Sequence, residues 1–563
     1  MVRATTPGMT RLFLSCLLGA AALTLGFALT PSPAEACGGF FCSRSPVDQS
    51  GEAIVYAKEP DGTLTMSVRI QYEGDDDAFA WILPAPVPPT ISVGTEAIFT
   101  ALDQRTRQQF DISEFRTEGT CRTPPTCYDT MSGEVCGSGD WYAETDDGYY
   151  PGPAFDAAAA ADASAGGPVT VYSQGPVGPF ETVVLGATSA ADVLEWLGDN
   201  GYDLPAESEE PLQAYADAGH VFVALKLATS ATSRFIQPIT LTMETDEVGC
   251  LPLRLTRIAA TTDMPITTYF LGGERVVPSN YSMVRVDVEN IPGLWTGERR
   301  WSGEVGAVVD TVGGQGFVTE YAGDTPEGIS LTLPSVADLA TESDPARFLM
   351  ELQVRGFSGT ASLLAALEAF MPPPVGQEAQ DYYNCLTFGS VASCGAPTSF
   401  DPAGLAAHLQ ESEVDPRNAM QALVDRHTYL TRMTTAMDPD EMTVDPLFMV
   451  DGSMPDVSNV HEAAEVRRCS ADYYENQAPL DLVIGDTAHR TYEGVPASDR
   501  AWCSSRWGSH CAELADLPPA ARDRALGEDD GLCTVGRVGG SRSAGVVGFG
   551  LLLAALVLVR RRR

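Results

Sequence analysis

The sequence predicts a mixed fold, α+β or mixed α/β. It has a β-rich N-terminal region, an α/β central region, a more helical and disulfide-stapled C-terminal region and a short C-terminal transmembrane helix. Three observations lead there. Leu64, Met66, Val68, Ile70 and Tyr72 alternate with Thr65, Ser67, Arg69 and Gln71, the period of a strand with one buried and one wet face. Between residues 169 and 288, strand-length apolar runs are interleaved with helical patterns. Cysteines then recur through a polar stretch near the C-terminus.

Taken in order, residues 1–36 read as a signal peptide. Arg3 and Arg11 precede the uncharged apolar run 12–29, and Ala34-Glu35-Ala36 supplies small residues for cleavage after Ala36. Cleavage leaves Cys37 first, where a lipid could be attached. Glu35 and Ala34 fit a lipobox poorly, and Cys42 offers a nearby disulfide partner instead. In the β-rich region 37–156, a strand over 53–58 and the alternating strand flank the turn Glu59-Pro60-Asp61-Gly62. A strand over 79–83 is halted by Pro84, Pro86, Pro88 and Pro89. Residues 98–110 look helical with Thr95 as a cap, and 111–168 loop-like, closing on the linker 157–168.

The central region, 169–375, offers strands over 169–172, 180–185, 221–227, 236–243 and 283–288. Ser189 opens a helix with Asp192 as its capping-box partner, and Asn200-Gly201 ends it. Residues 212–218 are helical, and the helix 361–370 stops at Pro372-Pro373-Pro374. The region 376–450 is helical, with runs over 404–409 and 419–433, and 451–530 forms a cysteine-bearing polar module. Residues 531–563 form a sorting or anchor tail: Cys533, a Gly539-Gly540-Ser541 hinge, the apolar helix 544–559 and a closing run of arginines. That helix spans about 24 Å, short against a hydrocarbon core of about 30 Å. The tail resembles bacterial C-terminal sorting signals of the myxobacterial type (MYXO-CTERM), a likeness that implies processing near Cys533. An ordinary single-pass helix is the alternative, and the arginines would stay cytoplasmic.

Charge and cysteine content bound the function. The net charge of −41 is more negative still once the arginine-rich ends are set aside. Such a surface repels phosphate backbones and anionic headgroups, so nucleic acid is excluded as a partner. Of thirteen cysteines, Cys16 and Cys533 lie in the end segments, and the remaining eleven are expected mostly as disulfides. Local pairing joins Cys37 with Cys42, Cys385 with Cys394 and Cys503 with Cys511. It leaves Cys121, Cys127, Cys136, Cys250 and Cys469 unsorted.

Several stretches together carry a family resemblance. They are Cys37-Gly38-Gly39-Phe40-Phe41-Cys42, Phe79-Ala80-Trp81-Ile82-Leu83-Pro84-Ala85-Pro86, Val177-Gly178-Pro179-Phe180, Leu194-Glu195-Trp196-Leu197 with Gly201-Tyr202, Phe222-Val223-Ala224-Leu225-Lys226-Leu227 and Gln237-Pro238-Ile239. Over roughly residues 37–450 the chain resembles the uncharacterised bacterial family called domain of unknown function 2330. The likeness implies an exported envelope protein and brings no activity with it.

A search for chemistry returns little. There is no G-x-S-x-G elbow, no phosphate-binding glycine loop and no H-E-x-x-H. The six histidines stand outside any motif, and His220 reads as structural. Asp438, Asp440 and Asp445 could chelate calcium, although the twelve-residue calcium loop with its central glycine is absent. The plainer reading of each acidic cluster is a solvated turn, and Trp81 reads as core. No catalytic or cofactor residue is therefore assigned. The expectation is a non-catalytic surface protein, structural or engaged in recognition, held at the membrane by its tail. The alternatives are an extracellular hydrolase with an unrecognised site and a calcium-dependent adhesive module.

Overall fold

The alternating run forms the strand Thr63–Glu73, hairpin partner of Asp48–Lys58. Leu64, Met66, Val68 and Ile70 are buried as expected, but Ser67 is buried too. The face expected to be wet is covered at its middle only: Thr65 and Arg69 are half-buried and Gln71 is exposed. The computed structural model describes residues 40–42, 48–73, 79–122, 169–202, 204–227, 237–249, 251–357, 361–494 and 496. Two compact units divide the chain. One takes Met1–Arg107, Tyr150–Val286 and Ser302–Asn459; the other takes Gln108–Tyr149, Asp287–Trp301 and Val460–Arg563. Each is assembled from separate stretches of the chain.

The hairpin lies inside an eight-stranded mixed sheet of the first unit. Its order is Ser282–Val284, Gly316–Asp324, Tyr429–Met437, Met264–Gly272, Asp48–Lys58, Thr63–Glu73, Ile239–Glu244 and Thr90–Val93. Met264–Gly272 runs parallel to Asp48–Lys58, in register from Ile266 opposite Glu52 to Leu271 opposite Ala57. The helices Glu96–Thr106 and Asp415–Arg426 cover one face. Ile98, Phe99, Leu102, Met420, Leu423 and Val424 pack there with Ala53, Val55, Ala57, Tyr269, Leu271 and Leu430.

A second, antiparallel sheet orders Phe40–Cys42, Phe79–Ala85, Val221–Leu227, Phe180–Gly186 and Thr170–Val177. Trp81 is buried within it. Ala190–Asp199 and Glu209–Asp217 cover one face, with Val193, Leu197 and Leu212 against Ile82, Val183, Leu185 and Phe222. Ser189 caps the first of these helices without a side-chain bond; Gln213 Oε1 accepts from Ala190 N at 2.9 Å instead and ties the two helices together. The capping box with Asp192 is thus replaced by a tertiary cap.

Between the sheet strands lies a helical region with its own core, including Phe348, Leu352, Ala366, Tyr382, Leu386, Leu405 and Leu409. Asp344 and Asp401 accept from Ala346 N and Gly404 N, and a proline follows each. The Cys385–Cys394 disulfide staples this region.

Several sequence expectations need correction. The strand expected over 283–288 is the short Ser282–Val284, and the strand expected to halt at Pro84 runs through it to Ala85. The helix expected over 98–110 is Glu96–Thr106, and Gln109 begins a strand. The stretch 111–118, read as loop, belongs to the ten-residue strand Gln109–Glu118. The helix expected over 419–433 stops at Arg426, where His427 Nδ1 lies 2.8 Å from Leu423 O; Tyr429–Met437 is a strand. Leu430 to Met437 are all buried, so this strand carries no alternation to betray it.

In the second unit, Thr487–Tyr492, Leu480–Ile484, Val460–Arg468 and Gln109–Glu118 form one sheet. The last two run parallel. Cys121 and Cys469 join just past their ends, across 348 residues of sequence. Cys469 N donates to Glu118 O at 2.8 Å beside that bond. A parallel pair has no turn to hold it, and the disulfide takes that role.

Two charged groups sit inside the first unit. Arg432, on the buried strand, has Nε 2.5 Å from Glu320 Oε2 and Nη1 2.9 Å from Asp103 Oδ1, and its guanidinium lies 5.4 Å from the Tyr269 ring centroid. Burial works against its charge, and Glu320, Tyr269 and Asp103 outweigh it, so its pKa stands above the ordinary value. Burial pushes the Tyr269 phenol up to about 12. Glu52 is 5% exposed and takes a hydrogen bond from Gln49 Nε2 at 3.2 Å. Burial raises its pKa to about 7, and the Gln49 bond opposes the rise.

Removing the cation from the first group leaves Glu320 buried and uncompensated. Arg432→Met therefore lowers unfolding free energy by about 3–5 kcal/mol, and Arg432→Met with Glu320→Leu recovers most of it, read by urea denaturation. For Glu52, the unfolded chain ionises near pH 4.5 while the folded chain holds the proton to about pH 7. Stability is therefore full below the lower value and falls as pH rises through that window, by about 3 kcal/mol in all. Glu52→Gln removes the fall, so the variant is more stable than the parent at pH 8 and similar at pH 4. Parallel pH profiles for the two would show that Glu52 is not held protonated.

Candidate ligand-binding cleft

Pro402–Leu409, the π-helical turn Gln410–Val414 and Asp415–Arg426 follow one another as a continuous helical run. Pro416 explains the irregular turn. It has no N–H to give the carbonyl four residues back, and its ring crowds that carbonyl. The carbonyl belongs to Ser412, and it accepts from Gln237 Nε2 at 2.9 Å instead. A π turn inside a helix often marks a functional site. Here it aims a carbonyl at the segment preceding Ile239–Glu244, and so fixes the helix beside the end of the eight-stranded sheet.

Two glycines permit the remaining close approaches. A Cβ at Gly94 would come within 2.9 Å of Pro238 O, to which Gly94 N donates at 2.6 Å. Gly178 has φ +55°, and a Cβ there would meet Val93 Cγ2 at 2.6 Å. The turn of the 170–186 hairpin is thereby pressed onto the edge strand Thr90–Val93.

Two adjoining cavities open where these pieces meet. The smaller, about 240 Å³, is lined by Val93, Pro176, Gly178, Pro179, Gln237, Ser362, His408, Glu411, Ser412 and Glu413. The larger is a groove of about 690 Å³. Its lining includes Thr65, Thr240, Thr242 and Ser92 from the sheet, Pro176 to Gly178 from the hairpin, and Ala419, Ala422, Leu423 and Arg426 from the helix. Val93, Pro176, Gly178 and Glu411 line both. Among the described residues, no Phe, Tyr or Trp lines either one.

The polar groups of the smaller cavity are held firmly. Ser362 Oγ donates to Glu413 Oε1 at 2.5 Å, and Arg417 reaches Glu413 Oε2 with Nε at 3.3 Å and Nη2 at 3.1 Å. The His408 ring packs 5.6 Å from Phe370. A serine that donates straight to a carboxylate already paired with arginine is a structural hydrogen bond. Nucleophilic catalysis needs a base oriented by a third group and a donor pair for the oxyanion. The geometry suits binding.

The residues singled out from the sequence lie elsewhere. Asp438 Oδ1 accepts from Asp263 N at 2.9 Å, and Asp440 is exposed in the following turn. Asp445 accepts from Tyr215 Oη at 2.7 Å and Arg254 N at 3.0 Å; burial raises its pKa, and those two bonds oppose the rise. Each carboxylate answers to its own surroundings. Among the described residues, no group of three or more His, Cys, Asp or Glu could hold a metal ion. Cys385 and Cys394 are bonded to each other, and Cys121 to Cys469. Cys42 ends a short strand. Ala36, Cys37, Cys503, Cys511, Cys533 and the apolar run 544–559 lie outside the described residues. Among the described residues, no helix is long and apolar enough to cross a membrane.

Sequence reasoning did not name the cleft, yet its signals were present. Val177-Gly178-Pro179-Phe180 and Gln237-Pro238-Ile239, two stretches of the family resemblance, contribute to its wall. Pro416 inside a helical pattern was the third.

The comparisons agree with that resemblance. A family model described as "Uncharacterized protein conserved in bacteria (DUF2330)" matches residues 31–449. No curated protein matches. Among solved structures, baculovirus P35 aligns over 43% of this chain and 77% of its own at 10% identity, with a TM-score of 0.21, too low to bear on the fold. The two disulfides suggest a protein that folds outside the cytosol.

Proposed function

The chain belongs to this uncharacterised bacterial family, and from that premise we propose that it is an exported envelope protein that recognises a ligand in the cleft without transforming it. The observation that carries the reading is the pair of adjoining cavities, framed by the sheet edge, the hairpin turn and the π turn, in which the Ser362–Glu413 contact is already neutralised by Arg417. Export is supported by the leader pattern ending at Ala36 and by the disulfides. Retention at the membrane is supported by the Cys533 tail and the apolar run 544–559. The net charge of −41 argues for a partner that is neither nucleic acid nor an anionic lipid surface.

One observation favours a second reading. Ser362, His408 and Glu413 line the same small cavity, residue types from which hydrolases are built. A fluorophosphonate probe separates the two. On the purified full chain it is expected to leave Ser362 unlabelled by intact mass. Stoichiometric labelling that disappears in Ser362→Ala would overturn recognition in favour of acyl-transfer chemistry.

A further inference from the structure

The lining of the cleft narrows what it takes. Ile91, Ser92 and Val93 are consecutive residues of a strand, and all three line the groove. Side chains alternate across a strand, so a cavity touched by three in a row meets that strand at its edge. Thr90–Val93 ends the eight-stranded sheet among the described residues. A strand edge offers main-chain donors and acceptors, the recognition surface used for extended peptides. Across the groove, Ala419 and Ala422 are exposed one helical turn apart and leave width for a backbone.

Other envelope ligands fit less well. A glycan calls for an aromatic platform, and none lines the cleft among the described residues. Phosphorylated polymers and anionic lipids meet Glu411, Glu413 and Asp415 there, while the groove's Arg426 is paired with Glu59 at 2.8 Å. Glu411 lines both cavities and is exposed, which places a carboxylate where the groove enters the small cavity. The small cavity, about 240 Å³, has room for one long side chain.

We propose that the cleft binds an extended polypeptide segment along the edge of Thr90–Val93 and receives one of its basic side chains in the small cavity beside Glu411. This rests on the recognition reading above and names its ligand class.

Fluorescence anisotropy tests it on the purified full chain. The probes are a labelled acetyl-Val-Thr-Lys-Thr-Val amide, its glutamate counterpart, and the lysine peptide N-methylated at alternate amides. The lysine peptide is expected to bind about tenfold more tightly than either of the others, and Glu411→Gln to erase most of the charge preference. Ala419→Trp, a substitution at an exposed position, is expected to abolish binding. Phe115→Asp, on the exposed edge strand of the other unit, is expected to leave it unchanged. Circular dichroism confirms that each variant is folded. Equal affinity for the lysine and glutamate peptides, undiminished binding of the N-methylated peptide, or binding that survives Ala419→Trp would overturn the proposal. A thermal-shift panel of envelope sugars and peptides separates the two levels of inference. A non-peptide ligand lost in Ala419→Trp leaves recognition standing and removes the peptide; no ligand sensitive to Ala419→Trp removes both.

Discussion

The parallel pairing of Asp48–Lys58 with Met264–Gly272 is the contact on which the first unit depends. It joins the N-terminal hairpin to a second antiparallel block, Met264–Gly272 with Tyr429–Met437 and Gly316–Asp324. Without it the eight-stranded sheet would be two smaller ones. Parallel strands cannot be joined by a tight turn, so more than 200 residues of intervening chain must fold around this pair. The two strands are accordingly almost wholly buried. Apolar residues supply most of that burial, and Glu52 is a carboxyl group placed in the middle of it, with Gln49 and Thr268 also buried. Arg432 does a different job one strand further out. Its contacts with Glu320 and Asp103 bind the helix Glu96–Thr106 to the sheet through charge, as does the Arg69–Glu96 pair at the helix start.

The cleft follows from where this sheet ends. Two helices cover the middle of one face, and the outermost strands extend beyond Asp415–Arg426. Pro416 has no N–H for the Ser412 carbonyl, and the π turn falls just where Gln237 takes that carbonyl up. Gly94 and Gly178 bring the other wall into contact with the edge strand. Three local departures from regular structure thus shape one concavity, at Pro416, Gly94 and Gly178.

Much of the fold was legible wherever a single periodicity governed a segment. The hairpin, the strand Val221–Leu227 and the helices beginning after Ser189 and near Leu212 all read correctly in kind. Legibility failed where burial is two-sided. Tyr429–Met437 has no exposed face, and its buried threonines and Arg432 interrupt the apolar alternation that would mark a strand. It failed again for Gln109–Glu118, whose exposed residues and charges resemble a loop and whose partner strand lies some 350 residues away. The Cys385–Cys394 bond, with its short loop, was accessible by proximity; Cys121–Cys469 was not, because nothing local marks it. The acidic residues near 440 drew attention by composition. The cleft residues did not, since serine, glutamate, proline and alanine acquire meaning there only through tertiary placement.

The central claim is that an eight-stranded sheet with a buried central pair presents a strand edge to ligand at Thr90–Val93. Hydrogen–deuterium exchange tests it directly on the intact protein. Amides within Asp48–Lys58 and Met264–Gly272 should exchange most slowly, and those of Thr90–Val93 quickly. On adding the lysine-bearing peptide, the slowing should concentrate in Thr90–Val93, 176–178 and 411–426. Edge amides as protected as the central pair in the unliganded protein, or slowing confined to Gln109–Glu118, would contradict it.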